Sequence, residues 1–211
     1  MHVTFDIDGV LADFSKGHCG VLKDLYGLDI DPRACKAWHW ADWVDGLTKE
    51  MEDKAWDAIF SDPKYATFWR DLDPLCTEQD IKRINDLAHR NIVSFVTTRA
   101  ASGQHENVVV DTQGWLRDRR LHPWPNTYLT GSGGKGARAQ LLGTHIAIDD
   151  NGDNCVDLLD HGVGAVLLKR AYNESFVDLI KTRGGYIVDS LEEFLVMCVQ
   201  FDERQNGPPG K

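Results

Sequence analysis

Short apolar runs alternate with amphipathic stretches along most of the chain. Runs typical of β-strands occupy residues 2–5, 92–96, 127–129, 145–148, 163–168 and 186–188. Stretches with helical periodicity lie between the later runs, at residues 104–117, 135–142, 154–161 and 175–182. This alternation predicts an α/β fold with a parallel central sheet and helices on both of its faces. Residues 77–80 and 190–193 match the N-terminal capping pattern of helices.

Residues 14–73 differ from this pattern, because they show helical periodicity without a convincing strand. They are rich in aromatic residues, and four of the seven tryptophans fall between positions 38 and 56. We expect a helical cap inserted after the first strand, with most of its rings filling its own core and two or three lining a pocket. The predicted organisation is therefore an α/β core of residues 1–13 and 74–200, a cap of residues 14–73 and a flexible tail of residues 201–211.

Size and charge narrow the class of protein. A chain of 211 residues suits one domain with a small insertion. Its net charge of -10 disfavours tight binding to a nucleic-acid backbone, which requires clustered Lys and Arg. The five cysteines are scattered without a C-x-x-C pair, which favours a reducing compartment. With no signal peptide and no apolar run of membrane-spanning length in the sequence, we expect a soluble cytoplasmic protein.

Acidic residues follow the first β-type run directly. Residues 2–5 lead into Asp6 and Asp8, and Gly9 then ends the run. Ligands of open α/β sheets bind in the crevice at the carboxyl ends of the strands, so this pair occupies a position where chemistry is done. Two acids at this spacing are weak evidence alone, because solvated turns also carry acids.

Three later segments also carry polar groups at or near strand ends. Thr97, Thr98 and Arg99 follow the second core strand, Lys135 follows the Gly-rich loop 131–134, and the pair 149–150 follows another strand. Each segment also has an ordinary explanation. The threonines could belong to a turn, Lys135 could be a solvated lysine, and the pair 149–150 could cap the next helix. All of them follow strands of the same predicted sheet, so together they predict one crevice that holds phosphate.

In this order the segments resemble the four motifs of the haloacid-dehalogenase (HAD) superfamily of phosphotransferases. Below that level the chain is most similar to the 5'(3')-deoxyribonucleotidase (5'-nucleotidase type C) family. The matching segments are D-x-D-G-V-L-A-D-F at 6–14, L-x-P at 72–74, W-L at 115–116, L-T at 129–130 and I-D-D-x-x-x-N at 148–154. One segment departs from the family, since residues 97–100 read T-T-R-A where the family has T-[SC]-P. The resemblance implies a Rossmann-like three-layer sandwich with a parallel sheet and a small helical cap.

The resemblance also implies a mechanism. Asp6 would be the nucleophile that forms an aspartyl-phosphate, and Asp8 would be the general acid and then the general base. Thr97 and Lys135 would bind the phosphoryl oxygens, assisted by the backbone amides of Gly9 and Thr98. The resemblance therefore predicts a phosphatase, because superfamily phosphatases keep an Asp at the position of Asp8.

Mg²⁺ is the cofactor that the resemblance implies. Its ligands would be Asp6, the main-chain carbonyl of Asp8 and Asp150, with Asp149 in direct contact or one shell further out. These acids and a phosphate dianion repel one another without such a cation.

The resemblance implies a small phosphomonoester as the substrate, namely a (deoxy)nucleoside monophosphate bound under the cap. Phe68 and Trp69 are the candidates for stacking on a base. Trp38, Trp40 and Trp43 are weaker candidates for the same role. Arg99 has two open interpretations, a contact with the base or sugar and a structural ion pair.

Two other functions stay open at this stage. One is a 3'-end polynucleotide phosphatase, which the acidic charge and the lack of a basic stripe disfavour. The other is a non-catalytic phosphate-binding domain, which the complete acid set disfavours because unused buried acids are costly. We expect a small-molecule partner, no stable nucleic-acid or membrane partner, and a monomer or homodimer.

Overall fold

The computed structural model describes residues 1–99, 107–122 and 126–206. The β-strands of these residues are β1 (His2–Phe5), β2 (Ile92–Thr97), β3 (Thr127–Leu129), β4 (Ile146–Asp149), β5 (Gly164–Leu168) and β6 (Tyr186–Val188). The α-helices of the same residues are α1 (Phe14–Tyr26), α2 (Lys49–Ser61), α3 (Phe68–Asp71), α4 (Glu78–Ala88), α5 (Asn107–Asp118), α6 (Lys135–Leu142), α7 (Gly152–Asp160), α8 (Val177–Thr182) and α9 (Leu191–Asn206). Strands and helices alternate after α4, as the apolar pattern predicts.

The strands form one sheet in the order β3-β2-β1-β4-β5-β6, and every neighbouring pair is parallel. The predicted α/β fold with a parallel sheet is confirmed. Chain order reverses between β1 and β4, which makes the crevice at their carboxyl ends the topological switch point of the sheet. Phe5 of β1 lies beside Ile148 of β4, so Asp6 and Asp149 emerge side by side from neighbouring strands.

The sheet is covered on both faces. Every residue of β1 and β4 is buried, as expected for central parallel strands. One face packs around Phe5, Phe95 and Phe194, with the rings of Phe5 and Phe194 edge to face at 5.3 Å. The other face packs under α6, α7 and α8 through a smaller set of residues that includes Leu158 and Ile180. These two layers give the three-layer sandwich.

Residues 14–72 form a segment outside the core, which we call the insertion. Its two ends join the core at the same place. Within it the structure has α1, α2, α3 and short 3₁₀ helices, and no strand. The amide of Asp13 donates to the carbonyl of Asp73 at 2.8 Å, and the amide of Leu75 donates to that of Leu11 at 2.8 Å. The entry and exit of the insertion are therefore tied together beside the carboxyl end of β1.

Helix ends match the sequence in part. Thr77 and Asp80 form the predicted capping box at the start of α4. Ser190 accepts from the amide of Glu193 at 3.2 Å, but the Glu193 carboxylate accepts from the amide of Asp189 and not from that of Ser190. Helix α9 continues through Asn206, further than the predicted core boundary at residue 200, because its apolar face extends to Phe201. Residues 207–211 of the predicted tail and 104–106 of a predicted helix lie outside the described residues.

No helix in the described part of the chain has both the length and the apolar character that crossing a bilayer requires.

Candidate active site

Asp6 is the central residue of the crevice. Its amide donates to the carbonyl of Ile148 at 3.0 Å, which extends the pairing of β1 with β4 by one residue. The side chain is buried, and one oxygen each of Asp6, Asp149 and Asp150 lie within 4.8 Å of one another. The acids from the first and last predicted motifs therefore meet, as the strand-end argument predicts.

Lys135 connects two of these acids. Its Nζ lies 2.7 Å from Oδ1 of Asp6 and 2.5 Å from Oδ2 of Asp149, and its side chain is buried. The residue begins α6, where the Asp157 carboxylate accepts from the amide of Gly136 at 2.6 Å and fixes the first turn. A side chain at position 136 would collide with the backbone of α7. Glycine thus lets the two helices approach closely enough to hold the lysine in place.

The carboxylate of Asp149 is fully partnered. Its Oδ1 accepts from the amide of Asn151 at 2.8 Å and from Nδ2 of Asn154 at 3.2 Å, while Oδ2 faces Lys135. Asp6 differs, because the contact of Oδ1 with Lys135 is close but lacks hydrogen-bond geometry, and this buried oxygen has no hydrogen-bond partner among the described residues. A buried carboxylate oxygen left in this state is a place for a further cation.

Burial and mutual repulsion change the pKa values of the clustered acids. Burial raises the pKa of Asp6 well above its usual value, against the effect of Lys135 and with the charges of Asp149 and Asp150 adding to it. Burial and the Asp149 charge raise the pKa of Asp150 to about 7. Burial alone would lower the pKa of Lys135, but Asp149 and Asp6 outweigh it and raise that pKa. Negative charge is thus in excess here, and a bound cation would favour the ionised acids.

Asp150 has partners that the sequence does not predict. The hydroxyl of Tyr172 donates to its Oδ2, and Nδ2 of Asn173 donates to its main-chain carbonyl at 2.7 Å. Both residues belong to a 3₁₀ segment, Ala171–Phe176, that follows β5. Since β5 is the neighbour of β4, the rule that ligand sites gather at strand ends is a signal that could have found them.

Asp8 pairs with Arg99. Nε of Arg99 donates to Oδ2 of Asp8 at 2.8 Å and Nη2 donates to Oδ1 at 2.6 Å. Thr97, at the end of β2, points its hydroxyl at the same carboxylate at 3.4 Å. Of the two interpretations of Arg99, the structure shows the ion pair. Thr98 is half-buried at the same edge of the sheet, and its binding role stays a prediction.

The amide of Gly9 is used within its own turn, and its role in binding phosphate stays a prediction. It donates to the carbonyl of Ala12 at 2.9 Å, because residues 7–12 form a tight turn that uses it. This amide is therefore engaged within the turn. Gly9 matters for space instead, since its φ of 75° is unfavourable for other residues and a Cβ would overlap the Asp150 carboxylate. Arg170 completes the turn by donating to the carbonyl of Gly9 at 3.0 Å.

Phe68 and Trp69 lie in the aromatic cluster of the insertion and are almost fully buried. Phe14 stacks near Trp69 at 6.0 Å, and the guanidinium of Arg99 lies 4.8 Å from the centre of a Trp69 ring. Base stacking by these rings stays a prediction, and it would require them to be uncovered. Trp38 is more accessible, because 55% of it is exposed, and it contacts Tyr172 edge to face at 6.1 Å.

The acid group fits a divalent metal ion. Three carboxylates within 4.8 Å, an unsatisfied buried oxygen on Asp6 and a surplus of negative charge are together the features of a hard-cation site with oxygen ligands. Asp6 and Asp150 are the better ligand candidates, because both oxygens of Asp149 already have partners.

Comparison with solved structures supports the fold. A haloacid dehalogenase-like hydrolase from Streptococcus pneumoniae has a TM-score of 0.62 at 16% identity, covering 93% of this chain and 97% of that one. A predicted phosphatase from Clostridium acetobutylicum has a TM-score of 0.57 at 15% identity, covering 94% and 98%. A β-phosphoglucomutase from Clostridium difficile has a TM-score of 0.54 at 15% identity, covering 97% of each chain.

Comparison of the sequence with curated proteins finds no match. A family profile, by contrast, matches residues 1–193, which is nearly the whole chain. The matching profile confirms the resemblance drawn from the motifs. The chain belongs to the family described as 5' nucleotidase, deoxy (pyrimidine), cytosolic type C protein, and is therefore a phosphatase.

Proposed function

We propose that this enzyme hydrolyses (deoxy)nucleoside monophosphates in a Mg²⁺-dependent reaction at Asp6. The observation that carries the proposal is the arrangement around Asp6, where a buried lysine ammonium lies 2.7 Å from its carboxylate and two further acids lie within 4.8 Å. This arrangement suits phosphoryl transfer, because catalysis of that reaction depends on positioning and on charge stabilisation. The family description favours pyrimidine deoxynucleotides among the substrates.

The chain supplies a nucleophile and an acid for two steps. An oxygen of Asp6 attacks phosphorus, the bond from phosphorus to the ester oxygen breaks, and Asp8 donates a proton to that departing oxygen. A water molecule then attacks the phosphorus of the aspartyl-phosphate, Asp8 takes its proton, and inorganic phosphate and the free Asp6 carboxylate result. Thr97 and Lys135 would bind phosphoryl oxygens during both steps.

Asp6, Asp150 and the main-chain carbonyl of Asp8 would hold the Mg²⁺, with Asp149 ligating or supporting them. When bound, the ion would neutralise the acids and stabilise the negative charge of the phosphoryl group. Lys135 would then hold Asp6 and Asp149 in place through its two contacts, in addition to binding a phosphoryl oxygen.

The insertion would act as a cap over this crevice. Its two ends are tied together beside β1, so it can close as a unit and exclude water from the phosphoryl group. Trp38 is its exposed ring next to Tyr172 and Asp150, and we propose that it contacts the nucleoside part of the substrate. Stacking of this kind contributes about 1–3 kcal/mol per base.

The cytoplasm is the proposed location, in agreement with the family description. All five cysteines are buried free thiols, as in proteins of reducing compartments.

Phosphate release from the pure protein tests the proposal. We expect release from nucleoside 5'- or 3'-monophosphates in Mg²⁺, none in EDTA and none from the Asp6→Asn variant. A panel of nucleoside monophosphates, sugar phosphates and phospho-amino acids would define the substrate class. Faster release from a 3'-phosphorylated oligonucleotide than from any mononucleotide would favour a polynucleotide phosphatase instead. No Mg²⁺-dependent release from any of these compounds would overturn the proposal.

A further inference from the structure

Arg99 is held on three sides. Two of its N–H groups form a fork on the Asp8 carboxylate, at 2.8 and 2.6 Å. A third donates to the hydroxyl of Thr112 at 3.1 Å, and the guanidinium carbon lies 4.8 Å from the centre of a Trp69 ring. Only 1% of the Arg99 side chain is exposed, against 22% of the Asp8 side chain. The pair thus has a buried arginine inside and a carboxylate that faces the crevice.

A pair of hydrogen bonds of this kind fixes the orientation of the carboxylate in addition to balancing its charge. A planar guanidinium that donates to both oxygens of a carboxylate sets the plane and direction of that carboxylate, which a lysine ammonium does not do. Arg99 is itself fixed by Thr112 on α5 and by Trp69 on α3. The direction of Asp8 is therefore set by the core and by the insertion together.

We propose that Arg99 is the positioning residue for Asp8 and orients its carboxylate toward the departing oxygen of the substrate. The inference rests on the proposed function, because it takes Asp8 as the proton donor. It replaces the idea that Arg99 binds the base or sugar. An arginine that is 1% exposed reaches a substrate only by giving up the contacts with Asp8, Thr112 and Trp69.

The proposal predicts a dependence on the leaving group. A nucleoside alkoxide is a poor leaving group and requires the proton, whereas p-nitrophenolate leaves with little help. Loss of a group that only orients the proton donor should therefore slow nucleotide hydrolysis much more than p-nitrophenyl phosphate hydrolysis. Loss of a merely structural ion pair should slow both reactions alike.

The experiment compares kcat/KM on the best nucleoside monophosphate with kcat/KM on p-nitrophenyl phosphate. This constant reports the steps up to loss of the leaving group, whereas the later attack of water on the aspartyl-phosphate is the same for both substrates. We expect Arg99→Met to lower the ratio of the two by about tenfold or more, in the same direction as Asp8→Asn. Arg99→Lys keeps the charge but loses the fork, so we expect a smaller fall of the ratio. If Arg99→Met fails to fold, Arg99→Lys carries the test alone.

Two controls separate positioning from general damage. Arg70→Met removes another arginine–aspartate pair, Arg70 with Asp118, which is exposed on the surface, and it should leave the ratio unchanged. The double variant Asp8→Asn/Arg99→Met should hydrolyse the nucleoside monophosphate within about threefold of Asp8→Asn alone, because residues that act as a unit are not additive.

An unchanged ratio in Arg99→Met and Arg99→Lys, or fully additive losses in the double variant, would overturn the inference while the proposed function stands. Failure of the wild-type enzyme to release phosphate from either substrate would instead remove the proposed function, and this inference with it.

Discussion

Gly9 and Asp150 are in direct contact across the crevice, so that any side chain at position 9 would overlap the carboxylate of Asp150. The glycine also adopts a φ of 75°, in the region that residues with a Cβ rarely occupy. Space and backbone conformation therefore give the same requirement for glycine. The turn that carries Asp8 and the strand end that carries Asp150 approach each other this closely only because residue 9 has no side chain.

The first prediction is that Gly9→Ala displaces Asp150, the proposed metal ligand, and disables the enzyme. We expect kcat to fall by about a hundredfold, as displacements of about 1 Å at reacting groups do, and the Mg²⁺ concentration for half-maximal activity to rise. Gly20→Ala is the matched control, because Gly20 lies in α1 with open space around it. That control should keep full activity and gain about 0.5–1 kcal/mol in the free energy of unfolding. Full activity in Gly9→Ala would contradict the steric argument.

The second prediction concerns Asp150 and metal binding. Without a cation, a charged Asp150 is costly, because burial and Asp149 raise its pKa to about 7. We expect Asp150→Asn without metal to melt at or above the wild-type temperature. Mg²⁺ at a hundred times its dissociation constant should stabilise the wild type by about 2.7 kcal/mol and the variant by far less. Thermal melts with Mg²⁺ and with EDTA measure both effects, and an equal Mg²⁺ shift in the two proteins would exclude Asp150 as a ligand.

The sequence predicts well which side chains meet at the carboxyl ends of the strands. Asp6 and Asp149 follow apolar runs, and the strands of an α/β sheet are parallel, so their meeting follows from the pattern without knowledge of any side-chain direction. Lys135 is predicted for a similar reason, because it begins the helix that follows β3, and a helix that follows a parallel strand starts near the carboxyl end of that strand.

Side-chain pairing was harder to predict. The sequence leaves Arg99 with two interpretations, because the direction of its side chain depends on Thr112 and Trp69, which come from two other helices. The amide of Gly9 is used inside its own turn, and no residue pattern distinguishes that turn from one with a free amide. Tyr172 belongs to an irregular segment after β5, without the periodicity that marks a helix or strand.

The third prediction is that Lys135 contributes to both catalysis and stability. Lys135→Met should lower kcat by about two to three decades, as the loss of other charge-stabilising groups does. It also leaves Asp6 and Asp149 without their shared buried cation, which should cost about 3–5 kcal/mol in the metal-free protein. Lys82→Met removes an exposed ion pair with Asp86 and should change neither kcat nor stability by a measurable amount. Kinetics with urea unfolding in EDTA would measure both, and a wild-type kcat in Lys135→Met would contradict its proposed role.

His18 gives the enzyme a sensitivity to acid. The imidazole is fully buried among Phe14, Trp40 and Trp56, and neither ring nitrogen has a hydrogen-bond partner among the described residues. Burial lowers the pKa of His18 from 6.5 to about 4 in the folded protein. Between these two values the unfolded chain binds a proton that the folded protein does not. The free energy of unfolding therefore falls as the pH drops from 6.5 to about 4, and His18 has no such effect above 6.5.

The fourth prediction follows from that difference. At pH 5 the wild type should have lost about 2 kcal/mol relative to pH 7.5 through His18 alone, and His18→Phe, which keeps an aromatic ring there, should remove that part of the loss. His122→Phe, which changes an exposed histidine, is the control. Urea unfolding of the three proteins at pH 5 and pH 7.5 measures the difference. If the wild type and His18→Phe lose the same free energy between these pH values, His18 takes up its proton as readily in the folded protein as in the unfolded chain.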